Sequence, residues 1–143
     1  MPGPAQFVLT DRDYAILRGL AMARPTGERG YFDLLRHKLV HANIVDAALI
    51  DPDVVTLNSQ VRYRVDDGRW QEHRLVLGAA REVIGQTVSL RSLHGLALLG
   101  MRDEQAFSFG AEPASVTVSD VLYQPEADAE VVEYGRARMW RGQ

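Results

Sequence analysis

The sequence predicts an α+β protein in which a pair of helices precedes an antiparallel sheet domain with one short helix. Apolar residues recur with a helical period over residues 1–50, and beyond Asp51 they alternate with polar residues as in half-buried strands. Pro52 marks the boundary, because proline disfavours a helical conformation of the residue before it. We therefore divide the chain into a helical hairpin, a sheet domain over residues 51–127 and a tail over residues 128–143.

The first helix is predicted to begin after Thr10. A threonine hydroxyl at this position can accept a hydrogen bond from a free N–H of the first turn. Asp13 in that turn lies near the positive end of the helix dipole. Tyr14, Leu17 and Ala21 follow at helical spacing, which predicts one buried stripe.

A tight connector separates this helix from the next, since Pro25 ends the first helical pattern. The second helix is predicted from Tyr31 to Ala42. Its predicted apolar stripe consists of Phe32, Leu35, Leu39 and Ala42. Two amphipathic arms joined by a short loop form an antiparallel hairpin. An exposed apolar stripe could also pair two copies, so we expect a monomer or a weak dimer.

Five strands and a short helix are predicted in the second half. The first strand alternates Val61, Tyr63 and Val65 with polar residues and ends at the turn Asp67–Gly68. The other strands are predicted at residues 74–77, 87–90, 106–109 and 116–123. Ser92 is predicted to cap the short helix, and Gly100 to follow its last turn. Its buried residues are predicted to be Leu93, Leu96, Ala97 and Leu99.

Composition excludes several functional classes. The 143 residues are 46% hydrophobic and 24% charged, which is typical of a folded domain and not of a disordered chain. A net charge of −3 provides no general attraction to nucleic acid or to an anionic membrane. The absence of cysteine excludes disulfides and thiolate metal sites. Neither a signal peptide nor a bilayer-spanning run is recognisable, so we expect a cytoplasmic protein.

The sequence carries no familiar catalytic signature, and we expect no enzyme. Ser89, Ser92, His94 and Asp103 lie close in sequence and could supply a nucleophilic triad. Helix capping by Ser92 explains the same residues more simply, because His94 then lies in the first turn of the capped helix.

Asp33, His37 and His41 are spaced by four residues and share one face of the second helix. Such a set could chelate a metal ion, but a solvated helix face explains the pattern equally well. We predict neither a metal nor a cofactor. Tyr134, Met139 and Trp140 are mixed with charged residues in the tail, which could either present a contact surface or fold back on the sheet.

Three sequence blocks resemble the Gre-type transcription elongation factors, and especially their short relatives, the regulator of nucleoside diphosphate kinase (Rnk) family. Residues 54–62 (VVTLNSQVR) resemble the segment that opens the C-terminal domain of these factors. Residues 89–102 (SLRSLHGLALLGMR) resemble the family's Ser … Pro-x-Gly-x-Ala-Leu-Leu-Gly helix, with Leu93 in place of the proline. Residues 122–127 (LYQPEA) match the Rnk-like ending, so that the resemblance covers residues 8–127.

The resemblance implies an FKBP-like domain that docks at the rim of the RNA polymerase secondary channel. It also implies a coiled-coil hairpin that projects toward the channel. We expect Arg91, Ser92, Leu93 and His94 to form the polymerase-docking edge, although Arg91 replaces a residue that is often acidic in the family.

In the cleavage-stimulating Gre factors, an acidic pair at the hairpin tip helps to hold a catalytic Mg²⁺ ion. Here the tip offers one carboxylate, Glu28, between Arg24 and Arg29, whose charges oppose a cation. Helical arms of about thirteen residues reach only about 20 Å at 1.5 Å per residue. We therefore predict an RNA polymerase-binding regulator that does not stimulate cleavage and could compete with Gre-type factors. The alternatives are cleavage through Glu28 and, by fold analogy alone, prolyl isomerisation.

Overall fold

The computed structural model describes residues 7–23, 30–78, 85–109 and 114–127, and these residues form a mixed α+β fold. The helices are α1 (Asp11–Ala23), α2 (Tyr31–His41) and α3 (Leu93–Leu98), with a 3-10 turn at Ala47–Leu49. The strands are β1 (Val8–Thr10), β2 (Asn43–Val45), β3 (Gln60–Val65), β4 (Gln71–Val76), β5 (Thr87–Ser89), β6 (Ala106–Phe109) and β7 (Ala114–Tyr123). The predicted α+β class is confirmed.

A five-stranded sheet forms the second half, in the order β5-β4-β3-β7-β6. Its pairs are antiparallel except for β4 and β5, which run parallel. Of the five predicted strands, β6 has the predicted bounds, whereas β4 begins three residues before its predicted start at Arg74. The sheet is therefore mostly, but not wholly, the predicted antiparallel one.

A second, two-stranded sheet was not predicted. β1 and β2 pair in parallel, with Val8 opposite Asn43 and Thr10 opposite Val45. Strands of three residues are too short to show a period, and this pair joins segments more than thirty residues apart. The sheet thus arises from long-range pairing that no local pattern reveals.

One hydrophobic core unites the helices and the large sheet. Leu17 of α1 and Leu35 of α2 belong to the same buried cluster as Val61, Leu75 and Leu96. The described parts of α1 and α2 therefore do not form the projecting hairpin that the resemblance implies. Two short arms have little apolar surface to bury against each other, so packing on the sheet domain stabilises them. The division into residues 1–50, 51–127 and 128–143 stays a prediction.

The buried face of α2 differs from the predicted stripe. Its buried residues are Tyr31, Leu34, Leu35 and Lys38. Phe32, which the stripe places inside, is 38% exposed. The predicted stripe and the observed buried residues both have helical spacing. The observed set includes Lys38, and a search for apolar residues does not select a lysine.

Several predicted features lie outside the described residues. They are the hairpin tip with Arg24, Glu28 and Arg29, the turn at residues 110–113 and the tail at residues 128–143. In the ranges that the structure describes, no helix combines the length and apolar character needed to cross a membrane.

Candidate docking site

The predicted docking edge is a tight corner between β5 and α3 that is built on Ser89. The backbone oxygen of Ser89 accepts hydrogen bonds from the amide of Ser92 at 3.0 Å and from its hydroxyl at 2.7 Å. The Ser89 hydroxyl accepts one from the amide of Arg91 at 3.0 Å. Ser92 Oγ accepts a bond from the Gly95 amide at 3.1 Å, which confirms the predicted helix cap.

Two glycines allow this corner to close. A Cβ atom on Gly95 would lie 1.9 Å from the backbone oxygen of Ser89. Gly78 has a φ of +106°, and a Cβ atom there would lie 2.7 Å from Ser89 Oγ. Because a side chain at either position would collide with Ser89, glycine at both positions allows the corner to close this tightly.

The four predicted docking residues lie together at this corner. Arg91 is exposed, while Ser92, Leu93 and His94 are half-buried. The His94 ring meets the Phe109 ring edge to face, with centroids 6.0 Å apart. Leu93 packs only partly against the core, in contrast to its predicted burial, because it lies in the first turn of α3 at the rim of the core. The edge thus presents one guanidinium beside an aliphatic side chain and an imidazole.

Helix α2 supports the corner from behind. The Tyr31 hydroxyl donates a hydrogen bond to the Leu90 backbone oxygen at 2.8 Å. Burial raises the pKa of Tyr31 to about 12, and the nearby charge of Arg91 partly opposes the shift. The phenol therefore stays protonated and can donate this bond throughout the physiological range.

Lys38 makes a second link between α2 and α3. Its ammonium group donates hydrogen bonds to the carbonyl oxygen of Ala97 at 2.8 Å and to that of Leu99. It also lies 4.0 Å from the centroid of the Phe7 ring. The side chain is fully buried, and burial lowers the pKa of Lys38 well below its usual value. Sequence reasoning missed this role, although Lys38 is the only lysine in the chain.

The first and third sequence blocks meet away from the corner and have structural roles. The Thr56 hydroxyl donates to Glu126 Oε1 at 2.6 Å, and Ser59 Oγ accepts from the Thr56 amide at 2.9 Å. Gln124 Nε2 donates to the backbone oxygens of Asp51 and Val54 at 2.7 and 2.9 Å. These bonds join the end of β7 to the segment that precedes β3.

Asp13 lies beside this network at the start of α1. Its amide donates to Thr10 Oγ1 at 3.0 Å, which confirms the predicted cap. Its carboxylate accepts a bond from the Leu57 amide at 3.1 Å. Burial raises the pKa of Asp13 to about 6, and the nearby carboxylate of Glu126 adds to the shift.

The structure does not assemble the triad that the sequence allowed. Asp103 Oδ1 accepts a hydrogen bond from the Val121 amide at 2.8 Å. Among the described residues, no hydrogen bond joins Asp103 to His94 or Ser92. Ser92 is occupied with the turn and the helix cap, which agrees with the simpler interpretation.

The face of α2 whose spacing could suit a metal ion does not assemble a full ligand set in the described residues. The rings of His37 and His41 have centroids 4.6 Å apart, and the His37 ring stacks near Phe107. Burial lowers the pKa of His37, with the charges of His41 and Lys38 contributing. The described part of the chain contains no cluster of three or more His, Cys, Asp or Glu side chains suited to a metal ion.

No family model matches the chain, and no curated protein sequence matches it. Among solved structures, the chain is similar to the prokaryotic transcription elongation factor GreA/GreB from Nitrosomonas europaea, with 28% identity and a TM-score of 0.64. That match covers 85% of this chain and 100% of the other. It supports a fold and a sequence relationship of the Gre type.

Two further structures are more distant. The GreA factor homolog 1 (Gfh1) protein of Thermus thermophilus is 19% identical with a TM-score of 0.36, and Thermus aquaticus Gfh1 is 19% identical with a TM-score of 0.38. Each match covers 79% of this chain and 96% of the other.

Proposed function

We propose that the protein is a transcription regulator that binds RNA polymerase at the rim of the secondary channel and does not stimulate transcript cleavage. The observation that carries the proposal is the similarity in sequence and fold to a GreA/GreB elongation factor over 85% of the chain. We also infer that the sheet domain is of the FKBP-like type and that the chain is a short, Rnk-like relative. Its site of action is then the cytoplasm, where RNA polymerase acts.

The docking edge at Arg91, Ser92, Leu93 and His94 provides a chemically defined contact. Arg91 is exposed at the corner, and its backbone is held by the Ser89 hydroxyl. A guanidinium beside half-buried Leu93 fits a partner surface that offers a carboxylate next to an apolar side chain. Because the corner is tied to β5 and to α2, little ordering is needed when the partner binds.

The absence of cleavage is proposed from the chemistry of the tip. A single carboxylate, Glu28, flanked by Arg24 and Arg29 makes a poor site for a second Mg²⁺ ion. The described parts of the helices that lead to it are packed in the common core. A docked protein of this kind occupies the site of a Gre-type factor without supplying its carboxylates, and therefore competes with it.

The direct test is binding of the full chain to core RNA polymerase, measured by pull-down and by competition with a Gre-type factor. Arg91→Glu reverses the exposed charge at the docking edge and is expected to weaken binding at least tenfold. Arg69→Glu makes the same change in the exposed β3–β4 turn, at the other end of β4, and is expected to bind normally. Failure of the unmodified protein to bind core enzyme would overturn the proposal.

A backtracked transcription complex tests the second half of the proposal. We expect the protein to leave the transcript intact while it reduces cleavage stimulated by a Gre-type factor. Mg²⁺-dependent release of short 3′ RNA fragments, abolished by Glu28→Ala, would instead establish cleavage through the tip carboxylate.

A further inference from the structure

The outer face of the large sheet carries an unusual pairing of arginines with aromatic rings. The guanidinium of Arg64 on β3 lies 4.7 Å from the centroid of the Trp70 ring, just before β4. The guanidinium of Arg74 on β4 lies 5.1 Å from the centroid of the Tyr123 ring at the end of β7. The two pairs share the side of the sheet that faces away from the core residues Val61, Tyr63 and Leu75. We call this surface the Arg–aromatic face.

Strand register places the two stacked pairs at opposite ends of this face. Arg74 lies opposite Gln60, and Gln60 also lies opposite Tyr123. Arg64 is four residues farther along β3, a separation of about 13 Å at 3.3 Å per residue. Between them, Arg62 forms an ion pair with Glu72, with Nη2 and Oε1 2.5 Å apart.

The charges of the three arginines are not equally compensated. Glu72 neutralises Arg62, whose pKa it raises through a hydrogen bond and its charge, and the charge of Asp120, opposite Arg62 on β7, adds to the shift. Among the described residues, no carboxylate lies within 4 Å of the guanidinium of Arg64 or Arg74. The Nε atom of Arg64 is buried and has no hydrogen-bond partner in that part of the chain. The guanidiniums of Arg64 and Arg74 are therefore not neutralised by a carboxylate of the described residues.

The aromatic rings distinguish between classes of anionic partner. Trp70 is 48% exposed, and its ring stacks with a guanidinium instead of filling the core. A carboxylate-bearing peptide would use the arginines but would gain little from exposed planar groups. A single-stranded nucleic acid uses both, since phosphates pair with guanidiniums and bases stack on aromatic rings and on guanidinium planes.

We propose that the Arg–aromatic face binds single-stranded RNA without sequence specificity, through Arg64, Arg74, Trp70 and Tyr123. The net charge of −3 keeps general attraction to nucleic acid low, so the contact depends on this local surface. Its four residues differ from those of the Arg91 corner, and binding there does not require RNA polymerase. Base contacts come from stacking, which every base can provide.

The test is fluorescence anisotropy of a fluorescein-labelled ten-nucleotide oligoadenylate RNA, titrated with the full chain at several salt concentrations. We expect saturable binding whose logarithmic salt slope is about −1.4, the value for two neutralised phosphates of a single strand. Arg74→Gln is expected to reduce the magnitude of the slope by about 0.7. Trp70→Ala is expected to weaken binding at least about fivefold, and Trp70→Phe to restore most of it.

A third stacked pair provides the matched control. Arg18 lies over the Tyr14 ring on α1 at 5.9 Å, outside the Arg–aromatic face. Arg18→Gln therefore makes the same chemical change as Arg74→Gln and is expected to bind RNA normally. Circular dichroism of each variant verifies that the fold is retained.

Three results would overturn the proposal. They are the absence of saturable binding at low salt, equal losses in Arg18→Gln and Arg74→Gln, and full displacement of the RNA by an equal concentration of a polyglutamate peptide. The last result would assign the face to acidic proteins. The Trp70→Ala variant retains the Arg91 corner and is therefore expected to bind RNA polymerase normally in the pull-down. A loss of RNA binding in this variant can thus be distinguished from a failure of the proposed function.

Discussion

The amino group of Lys38 donates a hydrogen bond to the carbonyl oxygen of Ala97 over 2.8 Å and thereby ties the last turn of α2 to the end of α3. The last carbonyls of a helix have no partner within the helix, and they lie at the negative end of its dipole. The buried amino group of Lys38 donates to two of these carbonyl oxygens, and the docking corner lies at the opposite end of α3. This link positions α3 relative to α2, and its loss is expected to lower the stability of the fold.

Replacing Lys38 by methionine is expected to lower the free energy of unfolding by about 2 kcal/mol. Methionine keeps an unbranched side chain of similar length but leaves two buried carbonyl oxygens without a donor. Urea denaturation measures the effect. Arg36→Met, at an exposed position on the same helix, is the control and should change stability little. A Lys38→Met protein as stable as the original would show that the bonds only offset the cost of burying the amine.

The amine of Lys38 is expected to resist acylation in the folded protein. It is the only lysine, it is fully buried, and its amino group contacts two carbonyl oxygens and the Phe7 ring. An N-hydroxysuccinimide ester should therefore modify the chain at Lys38 only after urea unfolds it. Peptide mass spectrometry distinguishes this site from the α-amine. Rapid labelling of Lys38 under native conditions would contradict its burial.

Asp13 is expected to make stability fall as pH rises from about 4 to 6. Its pKa rises from 3.8 to about 6 on folding, so the folded state holds the proton more tightly and gains stability at the acidic end of this range. That stability is lost as the pH rises through the folded pKa, by up to about 3 kcal/mol at 1.36 kcal/mol per pH unit. Thermal or urea unfolding across this range measures the slope.

Asp13→Asn removes the titrating group and can still accept the bond from the Leu57 amide, so the variant should show a flatter profile. Asp11→Asn, exposed in the same first turn, serves as the control and should keep the original profile. Parallel profiles for the original protein and Asp13→Asn would refute the assignment.

Gly95→Ala and Gly19→Ala are expected to change stability in opposite directions. A methyl group on Gly95 would lie 1.9 Å from the Ser89 oxygen, which forces the β5–α3 corner apart and costs about 2–3 kcal/mol. A methyl group on Gly19 meets nothing within 4 Å and should stabilise α1 by about 0.5–1 kcal/mol. Chemical denaturation compares the two. Equal effects would mean that the corner is not tightly closed.

Much of the local structure could be predicted from the sequence. The caps at Thr10 and Ser92 each depend on a hydrogen bond between residues three positions apart, so the residue types alone indicate them. Gly100 follows α3 with a φ of +87°, as its position after the apolar run predicted. The Gre-type resemblance likewise depended on contiguous blocks, and the similarity to a GreA/GreB structure supports it in its coarse form. The Rnk assignment and the docking role of residues 91–94 stay predictions.

The tertiary structure alone decided which surfaces are inside and which side chains meet. Lys38 and Ala97 are 59 residues apart, as are Tyr31 and Leu90, and no period or spacing relates them. Their contacts placed the buried face of α2 one residue away from the predicted stripe and drew the helices into the core of the sheet domain. The sequence by itself determined the three helices, the approximate positions of the five strands of the large sheet and the caps at Thr10 and Ser92, because those depend on interactions within a few residues. Only the packing of distant segments decides which apolar or charged groups leave water. That packing therefore decided that Lys38 is buried, that Phe32 is exposed and that the two halves share one core.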